Sequence, residues 1–131
     1  MTKKRIRADG VREPPEGTWS NCLVAGGHVY IAGMTSRSAE FDTIEGDNTY
    51  EQSKAIFAKI EALIKAAGGT LDDVVKLNVF VSDINDRQQV WDARREFFTG
   101  DFPVSTLLEI SQLAHPDMMV EIEAVGVLDG G

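Results

Sequence analysis

The stretch Tyr50-Glu-Gln-Ser-Lys-Ala-Ile-Phe-Ala-Lys-Ile-Glu-Ala-Leu-Ile-Lys-Ala-Ala-Gly-Gly69, followed closely by Val75-Lys-Leu-Asn-Val-Phe-Val81, decides the fold class. In its first part Ile56, Phe57, Ile60, Leu63, Ile64 and Ala67 recur at intervals of three and four, which on a helix gathers them into one buried stripe. Thr49 with Gln52 three residues on forms a possible capping box, and Gly68-Gly69 supplies the stop. In the second part Val75, Leu77, Val79 and Val81 alternate with Lys76, Asn78 and Phe80, the period of a strand with one face on the core.

Working outward, Cys22-Leu-Val-Ala-Gly-Gly-His-Val-Tyr-Ile-Ala-Gly33 holds two β-favouring runs around Gly26-Gly27, a dipeptide suited to the positive φ angles of a tight hairpin turn. A second, shorter amphipathic helix is expected from about Asn85 to Phe98, with Asn85 as its cap and Gly100 as terminator. Ser105 to Ile110 and Met118 to Leu128 read as two more strands joined through Ala114-His-Pro-Asp117. Residues 1–18 are polar, charged and proline-bearing, and are expected to form a loosely ordered lead-in to a single domain over residues 19–131. The order is β-β-α-β-α-β-β, an α+β layer in which two helices cover one face of a mixed sheet.

The other sheet face then needs a cover. On the last strand Met118, Val120, Ile122 and Ala124 share one side, while Met119, Glu121, Glu123 and Val125 share the opposite, still partly apolar side. For so small a domain, burial against copies of itself is the simplest solution, so a closed homo-oligomer is expected.

Composition narrows the function. A chain of 131 residues has room for one core, and 43 % hydrophobic with 26 % charged residues is ordinary globular usage. The formal charge is −8, and four of the thirteen Lys and Arg residues (Lys3, Lys4, Arg5, Arg7) fall in the first seven positions, leaving the remainder more acidic still. No contiguous basic patch exists to displace counterions from a phosphate backbone, so no nucleic-acid partner is expected. No apolar run approaches the roughly 20 residues of a membrane span, and no apolar stretch follows the basic start, so neither membrane insertion nor secretion is expected. The single cysteine, Cys22, rules out an internal disulfide and suits a reducing cytoplasm. His28 and His115 have no metal-ligand spacing, and the glycines follow no phosphate-loop or dinucleotide pattern, so no metal and no cofactor are expected.

Ala32-Gly33, the spacing of the two helices, Val75-Lys-Leu-Asn-Val-Phe-Val-Ser-Asp-Ile-Asn85, Phe102-Pro-Val-Ser-Thr106 and Val120-Glu-Ile-Glu-Ala124 together resemble the YjgF/RidA family of enamine and imine deaminases. The resemblance runs from about Trp19 to Leu128. It implies a chorismate-mutase-like α+β fold, a homotrimer, small-molecule clefts between subunits and cofactor-free hydrolysis.

In family members that hydrolyse 2-imino acids, the segment before the penultimate strand reads Pro-Ala-Arg-Ser, and its arginine grips the substrate carboxylate. A planar guanidinium suits that task because it offers two parallel donors. Here the matching segment is Phe102-Pro103-Val104-Ser105, read with Val104 where the arginine belongs. Hydrogen bonds to a charged group are worth about 1.5–3 kcal/mol each, so losing a bidentate pair weakens carboxylate recognition by more than about tenfold. Either the substrate places no carboxylate there or another cation replaces the clamp. Arg37, in Met34-Thr-Ser-Arg37, is the candidate cation, with a solvated loop arginine as the plain alternative. The Thr-Ser-Arg run is also similar to the 2-aminomuconate deaminase branch of the family.

The resemblance places Glu121 at the family's acidic residue near the catalytic water, where hydrolysis of C=N needs a proton acceptor. On spacing alone, Glu121 and Glu123 are outward-facing strand residues. Trp19 stands where the family carries a ligand-facing tyrosine, and is either a flat wall for a conjugated substrate or a core anchor. Ser105 and Thr106 offer hydroxyls beside Val104 or are ordinary strand residues. Two functions compete: hydrolysis of an enamine or imine other than the simple 2-imino acids, and non-catalytic binding of a small regulatory ligand by a trimer of the same fold. A third, ribonuclease activity, survives in older names for the family and is opposed by the charge.

Overall fold

The helical stripe is buried as its spacing demands: Ile56, Phe57, Ile60, Leu63 and Ile64 have no exposed surface in the computed structural model, which describes residues 2–128. They sit on α1 (Thr49–Ala66) and pack onto a six-stranded sheet, β1 (Lys3–Arg5), β2 (Cys22–Ala25), β3 (His28–Met34), β4 (Val74–Val81), β5 (Val104–Glu109) and β6 (Val120–Val127), in the spatial order β1-β2-β3-β6-β4-β5. Every neighbouring pair is antiparallel except β4 and β5, which are parallel and therefore need a crossover. The short helix α2 (Arg87–Arg94) lies within that crossover. This is the mixed sheet with two helices, in a chorismate-mutase-like α+β arrangement, that the sequence implies.

The core forms between the helices and one sheet face. Leu77, Val79 and Val81 of β4 and Val120, Ile122 and Ala124 of β6 meet the α1 stripe, while Phe57 packs at 5.6 Å against a tilted Phe97 ring and at 5.7 Å edge-to-face with Phe98, just beyond α2. Gly26 and Gly27 turn the β2–β3 hairpin with φ of +57° and +78°, a combination that side chains disfavour.

Four local expectations are corrected. The α1 N-cap is Asn48, whose side chain accepts from the Glu51 N–H at 2.8 Å, while Thr49 instead donates to Asp86 and ties α1 to the turn before α2. Val75 faces outward because a register shift between Val74 and Lys76 gives the core position to Val74. The second helix is shorter than expected, since a 3₁₀ turn over Ile84–Asp86 precedes it; Asn85 lies inside that turn, its N–H held by Asp83, and does not cap the helix. Finally, the first residues do not form a loose lead-in. Lys3–Arg5 pair with β2, Ile6 and Val11 are buried, and Arg5 bonds Glu13 at 2.8 Å. A charged Lys-Lys-Arg strand is what the rim of a sheet tolerates, because its charges discourage further pairing.

Among the described residues no helix covers the far sheet face. Tyr30 is paired with Val125, Lys76 with Val104, Asn78 with Thr106 and Phe80 with Leu108, which puts these side chains on that side. Tyr30 is 49 %, Leu108 52 % and Val104 68 % exposed.

A candidate active-site cleft beside Glu121

Glu121 enters the site through the alternation of β6. Its neighbours Val120 and Ile122 point into the core, which turns Glu121 to the opposite side. The antiparallel partner β3 is irregular between Ile31 and Met34, and Gly33 within that irregularity offers no side chain. The Glu121 carboxylate fills the space, so close that a β-carbon on Gly33 would lie 2.7 Å from Oε2.

Around it opens a cleft of about 540 Å³ whose lining includes Trp19, Asn21, Gly33, Arg37, Lys59 and Glu121. Burial raises the pKa of Glu121 above the usual glutamate value, and the like charge of Glu123 adds to the effect. Glu123 is held by Asn78 Nδ2 at 2.9 Å, whereas among the described residues no hydrogen-bond donor reaches Glu121. That leaves its lone pairs directed to whatever occupies the cleft.

Trp19 is 55 % exposed and is therefore a wall of the cleft, not a core anchor. Its indole N–H donates to Asn21 Oδ1 at 3.3 Å, and Asn21 is in turn fixed by donating to the Arg12 carbonyl at 2.9 Å. Arg37 reaches the cleft, but its guanidinium is ion-paired to Asp42, so its charge is matched within the chain. Lys59, on α1, reaches under the loop after β3 and donates to the Thr35 and Arg37 carbonyls at 2.7 and 2.6 Å. Burial lowers its pKa, with Glu45 opposing and Arg37 reinforcing the shift.

The structure thus brings Glu121, Trp19 and Arg37 together, and leaves Val104, Ser105 and Thr106 apart. These three lie on the outermost strand β5, two strand spacings or about 10 Å from β6. Val104 and Ser105 are adjacent on β5. The two side chains point oppositely, Val104 to the uncovered face and Ser105, opposite Leu77, to the helix side, where it accepts from Arg94 Nη2 at 3.0 Å.

Sequence reasoning missed Gly33, Lys59 and Asn21 as parts of the cleft. Ala32-Gly33 inside a strand was the available signal, since glycine in a strand marks close approach by another group. Lys59 carried none, being one polar residue on a helix face. Cys22 is buried, and burial raises its thiol pKa to about 11, which makes it a packing residue and not a nucleophile. Among the described residues no three His, Cys, Asp or Glu side chains converge as a metal site, and no helix is long and apolar enough to cross a membrane.

A small α+β protein with helices on one sheet face and a half-buried acid over a strand glycine is the class these features define. The chain belongs to the endoribonuclease L-PSP family, the YjgF/RidA family, whose sequence profile matches residues 11–128. A 2-iminobutanoate/2-iminopropanoate deaminase from Dermatophagoides farinae is 27 % identical over 129 residues, covering 98 % of this chain and 100 % of that protein. A RutC family protein from Pyrococcus abyssi is 31 % identical over 85 % of this chain and 87 % of its own. Among solved structures, a protein of unknown function from Pseudomonas aeruginosa is 38 % identical with a TM-score of 0.85, covering 98 % of this chain and 94 % of that one. RidA from an Antarctic Psychrobacter is 27 % identical with a TM-score of 0.86, covering 95 % and 99 %.

Proposed function

We propose that this protein is a cofactor-free hydrolase of the deaminase type, acting on a small enamine or imine at clefts between subunits of a homotrimer. The observation that carries the reading is the Glu121 carboxylate: half-buried, raised in pKa, without a donor among the described residues, and facing a cleft walled by Trp19. In its ionised form such a group accepts a proton from water. Water adds to the C=N carbon as Glu121 takes its proton, giving a carbinolamine. The nitrogen is protonated and ammonia leaves as the carbonyl forms, so that imine plus water gives carbonyl plus ammonia. Two relatives named as 2-iminobutanoate/2-iminopropanoate deaminases, from Dermatophagoides farinae and Bos taurus, support this class of reaction.

The trimer is part of the proposal because it explains two things at once. It covers Tyr30, Val104 and Leu108 on the bare sheet face, and it carries the β5 edge of one copy to the Glu121 cleft of another. A cytoplasmic setting fits the buried, unreactive Cys22. The experiment generates imines in situ from several amino acids, together with 2-aminomuconate, and follows ammonia release. Acceleration that disappears in Glu121→Ala supports the reading; no response to any substrate, with Glu121→Ala unchanged, removes it.

A second reading, a non-catalytic trimeric binder of a small regulatory ligand, is favoured by the absence of arginine at both Val104 and Ser105. A thermal-shift screen separates the two, since a pure binder is stabilised by a ligand it never converts. Ribonuclease activity, which the family's name suggests, is opposed by the net charge of −8.

A further inference from the structure

Arg94, in the last turn of α2, is only 8 % exposed. Its Nη2 donates to Ser105 Oγ, and its Nε is buried without an acceptor among the described residues. No ion pair among the described residues includes it, although the chain carries 21 acids and the adjacent Arg95 is paired with Asp92 at 2.9 Å. A guanidinium keeps its charge at physiological pH. Burying that charge against a single hydroxyl is unfavourable unless an anion from outside the chain completes the arrangement.

The register places Arg94 and Ser105 at the edge of the sheet. Ser105 stands opposite Leu77 on the helix side of β5, and β5 is the sheet's last strand, so part of its main-chain N–H row faces away from the sheet. Because the Ser105 oxygen already accepts from Arg94, its own hydrogen is free to donate outward. A guanidinium, a hydroxyl and main-chain N–H groups therefore meet at one edge. No lysine or arginine follows Arg95 in the sequence, and Arg37 across the fold is already engaged by Asp42.

We infer that Arg94, working with Ser105, binds the carboxylate of a small-molecule ligand at the β5 edge. The inference rests on the hydrolase reading for the chemistry at the other end of that ligand, and it makes the substrate an acid-bearing imine whose carboxylate is gripped from behind the strand. That placement differs from an arginine rooted on the strand itself, and so selects a different reach between carboxylate and C=N.

The test uses the full-length assembled protein, with pyruvate and benzoate as anionic probes and methyl pyruvate and benzamide as uncharged counterparts, followed by calorimetry and thermal shift. At least one acid is expected to bind and stabilise the wild type while its neutral counterpart does not. Arg94→Gln should weaken that binding tenfold or more, Arg94→Lys less, and Ser105→Ala by several-fold. If Arg94→Gln does not fold, the lysine and alanine variants carry the comparison. Equal binding by wild type and all three variants, equal binding of the neutral counterparts, or no binding of either acid overturns the assignment. So does loss of assembly in sedimentation by Arg94→Gln with acid binding intact, which would give the carboxylate to a second copy of the chain. Binding through Arg94 without ammonia release from any imine would defeat the hydrolase reading alone. Turnover of acid-bearing imines at the same rate in Arg94→Gln would defeat this inference alone.

Discussion

Glu121 and Gly33 share one volume: the carboxylate of the first occupies the room left by the side chain the second lacks, with Oε2 2.7 Å and Cδ 2.8 Å from the absent β-carbon. The position of the acid is therefore set across the β3–β6 pair, by a residue that performs no chemistry.

Gly33→Ala should separate fold from activity. The φ of Gly33 lies outside the left-handed region, so alanine is tolerated by the backbone and pushes mainly on the flexible end of Glu121. Destabilisation by overpacking is expected at about 1–2 kcal/mol. Ammonia release should fall far more, on the order of 100-fold for a displacement near 1 Å. Wild-type activity in a folded Gly33→Ala protein would show that the carboxylate position is unimportant.

The raised pKa of Glu121 fixes a sign for pH. The folded chain holds this proton more tightly than the unfolded chain, so the associated stability is fully present below the unfolded pKa and is lost as pH rises through the folded one. Glu121→Gln should then be nearly neutral for stability in mild acid and stabilising at pH 7, by less than about 1 kcal/mol because solvent screens the half-exposed group. In activity, the acid limb reports the same carboxylate. Glu123→Gln removes the second cause of the shift and should move that limb to lower pH; an unmoved limb would assign it to another group.

Gln52 is buried, yet satisfied at both ends of its amide. It donates to the Asp117 and Gly46 carbonyls at 2.9 and 3.2 Å and accepts from the Met119 N–H at 2.8 Å, locking α1 to the chain just ahead of β6. Gln52→Leu removes the side-chain partner of the part-buried Asp117 carbonyl and Met119 N–H and should cost about 1–3 kcal/mol in denaturant melts. Because the lock lies two residues before Glu121, activity should fall even at temperatures where the variant stays folded.

Tyr30→Glu combined with Leu108→Asp places charge on the bare sheet face. Sedimentation should show dissociation to single copies, with circular dichroism preserved because neither side chain belongs to the core. Ammonia release should be lost with assembly. A variant that remains trimeric would locate the contact surface elsewhere.

How much of this was visible in the sequence depended on range. The α1 stripe, the Gly26-Gly27 hairpin and the alternation of β6 are local periodicities, and each was legible. The strand Lys3–Arg5 was not, because charge reads as a solvated tail whether or not the backbone pairs. Val75 was misplaced by a register shift that leaves no mark in composition. Within the cleft, Glu121 and Trp19 were found through resemblance, whereas Lys59 and Gly33 joined it only through contacts between distant segments. The relation of Arg94 to Ser105 spans a helix and a strand edge, and spacing along the chain carries no trace of it.

β6 is the last strand made and yet lies between β3 and β4 in the middle of the sheet. During synthesis the earlier strands emerge as two half-sheets with an empty slot between them, and neither has its central partner until Val120–Val127 has been made. This strand acts as a keystone, so a chain cut before Val120 lacks the centre of the sheet and not its rim, and quality control meets an unjoined chain instead of a shortened fold.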